Sequence, residues 1–249
     1  METVAVVIPT LNEARAIGKV IEQIPIDGLL NAGLETTAYV VDGHSTDNTI
    51  DIAREKGAQI VLEEGTGKGA AIRTAFERID ADYVIMVDGD DTYPIDVATE
   101  MVRLLQTHDV VVGSRFKGAI EPGAMTRVNV AGNTLLTLLA RLLFNAKISD
   151  VCTGLWGFRR EAIRRLELAA QGFELEADMF AECVLKGCSI VEIPIIYRAR
   201  EDQPKLSSLR DGLIIGLFLC KRRLQQLTER DARSSAESAY GENSVEMRV

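Results

Sequence analysis

Histidine is scarce in this chain of 249 residues and cysteine carries no pairing pattern: His44 and His108 stand alone, and Cys152, Cys183, Cys188 and Cys220 form no C-x-x-C motif. That leaves no zinc set of ordinary spacing, and the four thiols read as reduced core residues of a cytoplasmic protein. Basic residues are outnumbered, 28 Lys and Arg against 37 Asp and Glu, for a formal net charge of −9. Nucleic acid is therefore not an expected partner, because general binding to its phosphate backbone needs clustered Lys and Arg. No apolar run reaches the ~18–20 residues that span a bilayer. The nearest, Leu135 to Phe144 and Leu213 to Cys220, are short, and Arg141 interrupts the first. The chain begins in strand-like sequence, Val4-Ala5-Val6-Val7-Ile8, without a basic and apolar leader, so secretion by a signal peptide is not expected.

Three active-site signatures are also missing. Gly65-Thr66-Gly67-Lys68-Gly69 is glycine-rich, but Leu62 and Gly69 stand where a Walker A loop needs glycine and a hydroxyl residue. Ala70 stands where the dinucleotide-binding G-x-G-x-x-G pattern ends. What remains is a turn presenting Lys68 at a helix N-terminus, suited to a diphosphate and equally serviceable as a connection. Asp42, His44 and Ser45 include the residue types of a serine-hydrolase triad, yet they are nearly adjacent and no G-x-S-x-G elbow presents the serine.

With 47% hydrophobic and 26% charged residues, the chain can build one sizeable core. Short apolar runs near 3–8, 37–42, 58–62, 83–87 and 109–113 alternate with helix-length amphipathic segments near 13–24, 46–56, 68–79 and 95–107. That rhythm predicts βαβ units and an α/β fold with a mainly parallel sheet flanked by helices. Ligands of such sheets bind outside the carboxyl ends of the strands, and the polar clusters fall there. Pro9-Thr10-Leu11-Asn12-Glu13 follows the first strand, Asp42-Gly43-His44-Ser45-Thr46-Asp47 the second, and Asp88-Gly89-Asp90-Asp91 the fourth. Carboxylates this close repel one another, and a hard divalent cation, Mg²⁺ or Mn²⁺, is the simplest agent to hold them together. Capping is the plainer explanation for Asn12, Ser45, Thr46 and one of Asp90 or Asp91. It serves less well for Glu13, Asp42 and Asp88.

Taken in order, these clusters with the Gly67-Lys68-Gly69 turn, Gly113-Ser114-Arg115-Phe116, Asp150 and Thr153-Gly154 resemble a family 2 glycosyltransferase of the GT-A fold. The nearest subgroup is the dolichyl-phosphate or polyprenyl-phosphate hexosyltransferases (mannosyl and glucosyl), and Asp-Gly-His-Ser-Thr-Asp resembles archaeal members that act in protein N-glycosylation. The likeness covers about residues 3 to 215. It implies metal-dependent, inverting transfer of a hexose from UDP-glucose, or GDP-mannose as second choice, to a lipid phosphate. Pro9, Leu11, Glu13 and Asp42 would cradle base and ribose, Asp88 and Gly89 would continue that pocket, and Lys68 would meet the diphosphate. Asp90 would bind the metal, with Asp91 or water completing its shell. Arg115, Arg127, Arg200 and Lys205, with Arg198 as understudy, would position the acceptor phosphate; Asp150 would orient donor or acceptor, and Glu176 opens the following helix.

The sequence departs from the family pattern in places. Gly43-His44 replaces an Asp-Gly pair, so only the first carboxylate, Asp42, is retained; Thr92 replaces a Gln, Trp156 an Arg and Pro204 a Ser. A processive polysaccharide synthase is disfavoured because no Gln-x-x-Arg-Trp sequence occurs. Two alternatives remain: transfer to a soluble hydroxyl acceptor with Glu176 or Asp150 as base, and a non-catalytic nucleotide-sugar or lipid binder. Residues 1–207 are expected to form the catalytic domain, including an apolar-striped helix over 126–144. An amphipathic helix follows over 208–228, joining Leu213 to Leu219 with Lys221-Arg222-Arg223, and a disordered tail over 229–249. Such faces suit the cytoplasmic surface of an anionic membrane, and the same faces could instead complete the core or a homo-oligomer contact.

Overall fold

The computed structural model describes residues 1–200 and 210–228; the expected acceptor residue Lys205 and the expected tail over 229–249 lie outside them. Seven strands form one sheet: β1 (Glu2–Thr10), β2 (Leu34–Asp42), β3 (Gln59–Leu62), β4 (Tyr83–Met86), β5 (Val110–Ile120), β6 (Trp156–Arg159) and β7 (Ile190–Tyr197), in the order β3-β2-β1-β4-β6-β5-β7. β1 to β4 pair in parallel, β6 runs antiparallel between β4 and β5, and β7 lies parallel to β5. The chain leaves β1 for one edge and returns to β4 on β1's other side, so the topological switch point lies between β1 and β4. Thr10 aligns with Asp42 and Asp42 with Leu62, which brings the strand-end clusters level along one rim.

Helices cover both faces. On one side α1 (Ile17–Glu22), α2 (Ile26–Asn31), α3 (Thr49–Glu55) and α5 (Ala98–Leu105) pack over Val4, Val6, Ile8 and Ile85. α5 buries Ala98, Met101, Val102 and Leu105, the i, i+3, i+4, i+7 stripe of a helix facing a core. On the other, α4 (Lys68–Arg78), α6 (Arg127–Phe144), α8 (Leu175–Leu185) and a last helix, α9 (210–228), enclose Val7, Met86, Trp156 and Phe158; α7 (Arg160–Ile163) is a single turn after β6. Val4 to Ile8 are all at most 1% exposed, as expected of a strand covered on both faces.

Three boundaries differ from the sequence expectation. The helix expected over 13–24 begins only at Ile17, after a turn closed onto the Glu13 carbonyl, and Pro25 separates it from α2. β5 runs to Ile120, its far half rejoining β7 beyond a register shift between Ser114 and Ala119. α9 is not a separate appendage: Ile215 and Leu219 are buried in the same cluster as Phe144 and Phe180. No helix among the described residues is long and apolar enough to cross a membrane.

Candidate active site

The crevice at the switch point is built from backbone under local strain. Four non-glycine residues among those described take left-handed φ, and three of them, Asn12 (54°), His44 (64°) and Asp91 (60°), sit in the loops after β1, β2 and β4. Asn, His and Asp tolerate that region best, and strained backbone clusters where ligands bind. The first two loops are stitched together: the Asn12 N–H donates to Ser45 Oγ and the Thr46 N–H to Asn12 Oδ1, both at 2.8 Å. Asp42 is fully buried and serves this frame, accepting from the Ser45 N–H (2.7 Å), Ser45 Oγ (2.6 Å) and Thr10 Oγ1 (3.2 Å). Leu11 is 46% exposed at the crevice lip beside half-buried Pro9.

The three carboxylates after β4 do not converge on one point; each has its own cationic partner. Asp88 meets Lys68 Nζ at 2.5 Å, and Glu176 clasps the same ammonium from α8. Asp90 accepts from Thr92 Oγ1 at 2.6 Å and from Arg200 Nη1 at 2.9 Å, while the other end of Arg200 reaches Glu13 at 2.9 Å. Asp91 faces Gln23 Nε2 (2.7 Å) and Arg198 (3.4 Å). Among the described residues no group of three or more His, Cys, Asp or Glu side chains is arranged to hold a metal ion. Repulsion among the acids is thus relieved by two arginines and a lysine.

These charges are under tension. Burial opposes the Lys68 charge, but the Asp88 and Glu176 carboxylates outweigh it and hold the ammonium well above the ordinary lysine range. Burial, opposed by Lys68 and reinforced by Asp90 and Glu176, lifts Asp88 from 3.8 to about 6. Gly154 makes room for that carboxylate: a Cβ there would lie 2.2 Å from Asp88 Oδ2, so any side chain after Thr153 would push the carboxylate from its place. Arg200 Nε is buried and has no hydrogen-bond partner among the described residues. One rim carboxylate escaped the sequence reading. Glu63 follows β3 at the rim where Asp42 ends β2; it is 7% exposed, accepts the Gly67 N–H at 3.1 Å, and is pushed up chiefly by burial.

Arg115 and Asp150, expected beside the acceptor, are sealed against each other. Asp150 is fully buried and accepts from the Arg115 N–H (3.0 Å), Nε (2.7 Å) and Nη2 (2.7 Å). The guanidinium also donates to the Cys152 carbonyl and lies 5.3 Å from the Tyr197 ring centre. Arg127 is exposed at the first turn of α6, which Thr126 caps.

Residues 5–167 match the model of glycosyl transferase family 2. The chain belongs to that family. Its relatives include glycosyltransferase AglJ of Haloferax volcanii, 37% identical over 89% of this chain and 72% of the relative. The dolichyl-phosphate hexose transferase of the same organism is 34% identical over 90% of this chain and 96% of the relative. Among solved structures, glucosyl-3-phosphoglycerate synthase of Mycobacterium tuberculosis, determined with Mn²⁺, UDP and glucosyl-3-phosphoglycerate, superposes with a TM-score of 0.68 at 24% identity, over 90% of this chain and 80% of that one. This family 2 glycosyltransferase therefore has the GT-A fold expected from its sequence.

Proposed function

We propose that the enzyme transfers a hexose from a nucleotide sugar, UDP-glucose or GDP-mannose, to a polyprenyl or dolichyl phosphate at a membrane surface. The name of the Haloferax dolichyl-phosphate hexose transferase supports the acceptor class. The observation that carries the reading is the crevice itself: two cations, Lys68 and Arg200, each held between two carboxylates at the rim of the switch point. Such groups can exchange partners when a diphosphate and a lipid phosphate enter.

Pro9 and Leu11 would line the base pocket, with Glu13, Asp88 and Gly89 towards the ribose and Asp42 holding the loop in shape. Lys68, at the N-terminus of α4, would face the diphosphate, where the helix dipole also favours an anion. Asp90 fits a divalent cation: it is a part-exposed carboxylate whose Oδ2 already meets a positive charge. Mg²⁺ or Mn²⁺ needs only one or two protein carboxylates when phosphate oxygens and water supply the rest. Bound there, it would neutralise charge on the departing nucleoside diphosphate. Asp91, turned towards Gln23 and Arg198, would join only by rotating away from them. Arg200, whose buried Nε has no partner among the described residues, would receive the acceptor phosphate, with Arg198 behind it. The phosphate oxyanion attacks the anomeric carbon, a C–O bond to the acceptor forms as the bond to the diphosphate breaks, and no proton must be removed. Transfer to a sugar hydroxyl would instead need Asp150 or Glu176 as base, and both are already engaged, by Arg115 and by Lys68.

The membrane-facing surface would be the exposed apolar row of Leu135, Leu138 and Leu142 on α6 with Leu213, Leu217 and Leu224 on α9, flanked by exposed Arg141, Arg210 and Lys221. The test incubates the protein with each nucleotide sugar, Mn²⁺ and dolichyl phosphate. A lipid-linked hexose that requires metal supports the reading, and failure with every common donor overturns it.

A further inference from the structure

A continuous chain of polar contacts joins α9 to Lys68. Arg222 of α9, expected beside Lys221 and Arg223 among lipid headgroups, turns inward with its side chain 14% exposed. Its Nε donates to Asp178 Oδ1 (2.7 Å) and its Nη2 to the Glu167 carbonyl (2.8 Å), 3.0 Å from Glu182. Asp178 is fully buried, and its other oxygen accepts the N–H groups of Ala169 (2.6 Å) and Ala170 (2.8 Å). That carboxylate therefore fixes the turn over 169–172.

The turn in turn carries the lysine loop. The Gly69 N–H donates to the Gln171 carbonyl at 2.8 Å, and Arg73 of α4 binds the Ala170 carbonyl. Backbone lies directly on backbone: a Cβ on Gly69 would come within 2.3 Å of the Ala170 oxygen, and one on Gly67 within 2.6 Å of the Gln171 oxygen. Lys68 sits between those two glycines. Asp178 also lies two residues along α8 from Glu176, the second carboxylate on the Lys68 ammonium. The route from Arg222 thus reaches Lys68 through its backbone, by way of the 169–172 turn, while α8 also carries the carboxylate that meets its side chain. Charge-assisted hydrogen bonds to a buried carboxylate are strong and directional, and losing one partner disturbs the others.

We propose that Arg222 is a positioning residue for nucleotide-sugar binding, setting the place of Lys68 through Asp178 and the 169–172 turn. This rests on the reading of Lys68 as the residue that meets the donor diphosphate. The last helix then does more than lie on a surface: its seating and the occupancy of the donor pocket are linked.

The experiment titrates UDP and GDP, each with Mn²⁺, into the full chain by calorimetry, for wild type, Arg222→Leu, Arg222→Lys, Lys68→Met and Arg222→Leu combined with Lys68→Met. Whichever nucleotide binds wild type should bind Arg222→Leu about 5- to 20-fold more weakly, Arg222→Lys at an intermediate value, and Lys68→Met at least about 10-fold more weakly. The double variant should match Lys68→Met within about twofold, because the two substitutions act on one contact. In turnover, Arg222→Leu should raise the donor KM and leave kcat within about twofold, a split that plain loss of folded protein does not produce. Should Arg222→Leu fail to fold, wild type alone decides: nucleotide with Mn²⁺ should slow amide hydrogen exchange over both 169–172 and 219–226. A folded Arg222→Leu that binds like wild type, additive losses in the double variant, or exchange over 219–226 unmoved by nucleotide overturns the coupling alone. Unchanged nucleotide binding by Lys68→Met, or no nucleotide binding by wild type, overturns the donor-site reading and the coupling with it.

Discussion

Two sets of buried ion pairs lie on either side of β4 and β6, and they are built in opposite ways. On the β5 side Arg115 and Asp150 are 6% and 0% exposed at the side chain, joined through both Nε and Nη2, with Nη2 also donating to the Cys152 carbonyl and the charge resting on an aromatic ring. On the β1 side Lys68 and Arg200 are 16% and 19% exposed, each is contested by two carboxylates, and Arg200 keeps a buried Nε without a partner among the described residues. A pair sealed in this way has little left to offer a ligand. A contested one can trade its partners, and under the proposed function chemistry accordingly falls to the β1 side and scaffolding to the β5 side.

The comparison can be broken by substitution, and the largest effect is expected at Asp90. Asp90→Ala should lower transfer by at least about 1,000-fold in a lipid-extraction assay while leaving the melting temperature close to wild type, since Arg200 keeps Glu13. Arg115→Leu should do the reverse. It strands Asp150 as an uncompensated buried charge, costing about 3–5 kcal/mol of stability by denaturant unfolding. Were Arg115→Leu to fold with wild-type stability, the scaffolding assignment would fail.

Smaller effects sharpen the same contrast. Because the folded-state value of Asp88, about 6, lies above the ordinary 3.8, the fold favours the protonated acid. That contribution is fully present below about pH 4 and is lost as pH rises through about 6. Asp88→Asn, which keeps an acceptor for Lys68, should therefore match wild type in stability near pH 4 and exceed it at pH 7, by at most about 3 kcal/mol, while donor binding weakens. A stability gain independent of pH would contradict the tension assigned to that pair. Smallest of all for the folded state, Leu138→Ser with Leu217→Ser should change stability by about 0.5 kcal/mol or less. The same change should release the protein from anionic vesicles in a flotation assay. A switch from dimer to monomer instead would assign that face to a second copy of the chain.

The fold was legible as far as local pattern reaches. β1 to β4 and the helices between them announce themselves because each strand carries a short apolar run and the helices alternate with those runs. β6 did not, since four residues, Trp156-Gly-Phe-Arg159, hold their place only through β4 and β5, which are distant in sequence. The site was half legible. Clusters at strand ends flagged Glu13, Asp42, Asp88 and Asp90, but which carboxylate meets which cation is decided by long-range packing, as with Arg200 and Glu13, 187 residues apart. Glu63 could have been found by the rule that flagged Asp42. Arg222 could not, because an arginine beside a lysine and another arginine on an amphipathic helix reads as surface charge until Asp178 is placed opposite it.

The claim that the contested side of the crevice takes the donor is tested most directly by thermal melting of wild type and Asp90→Asn with UDP and GDP, each with and without Mn²⁺. One nucleotide should raise the wild-type midpoint only when Mn²⁺ is present, and Asp90→Asn, folded and melting normally alone, should lose that metal-dependent rise. A nucleotide shift equally large in both proteins, or none in wild type with metal, would contradict the account.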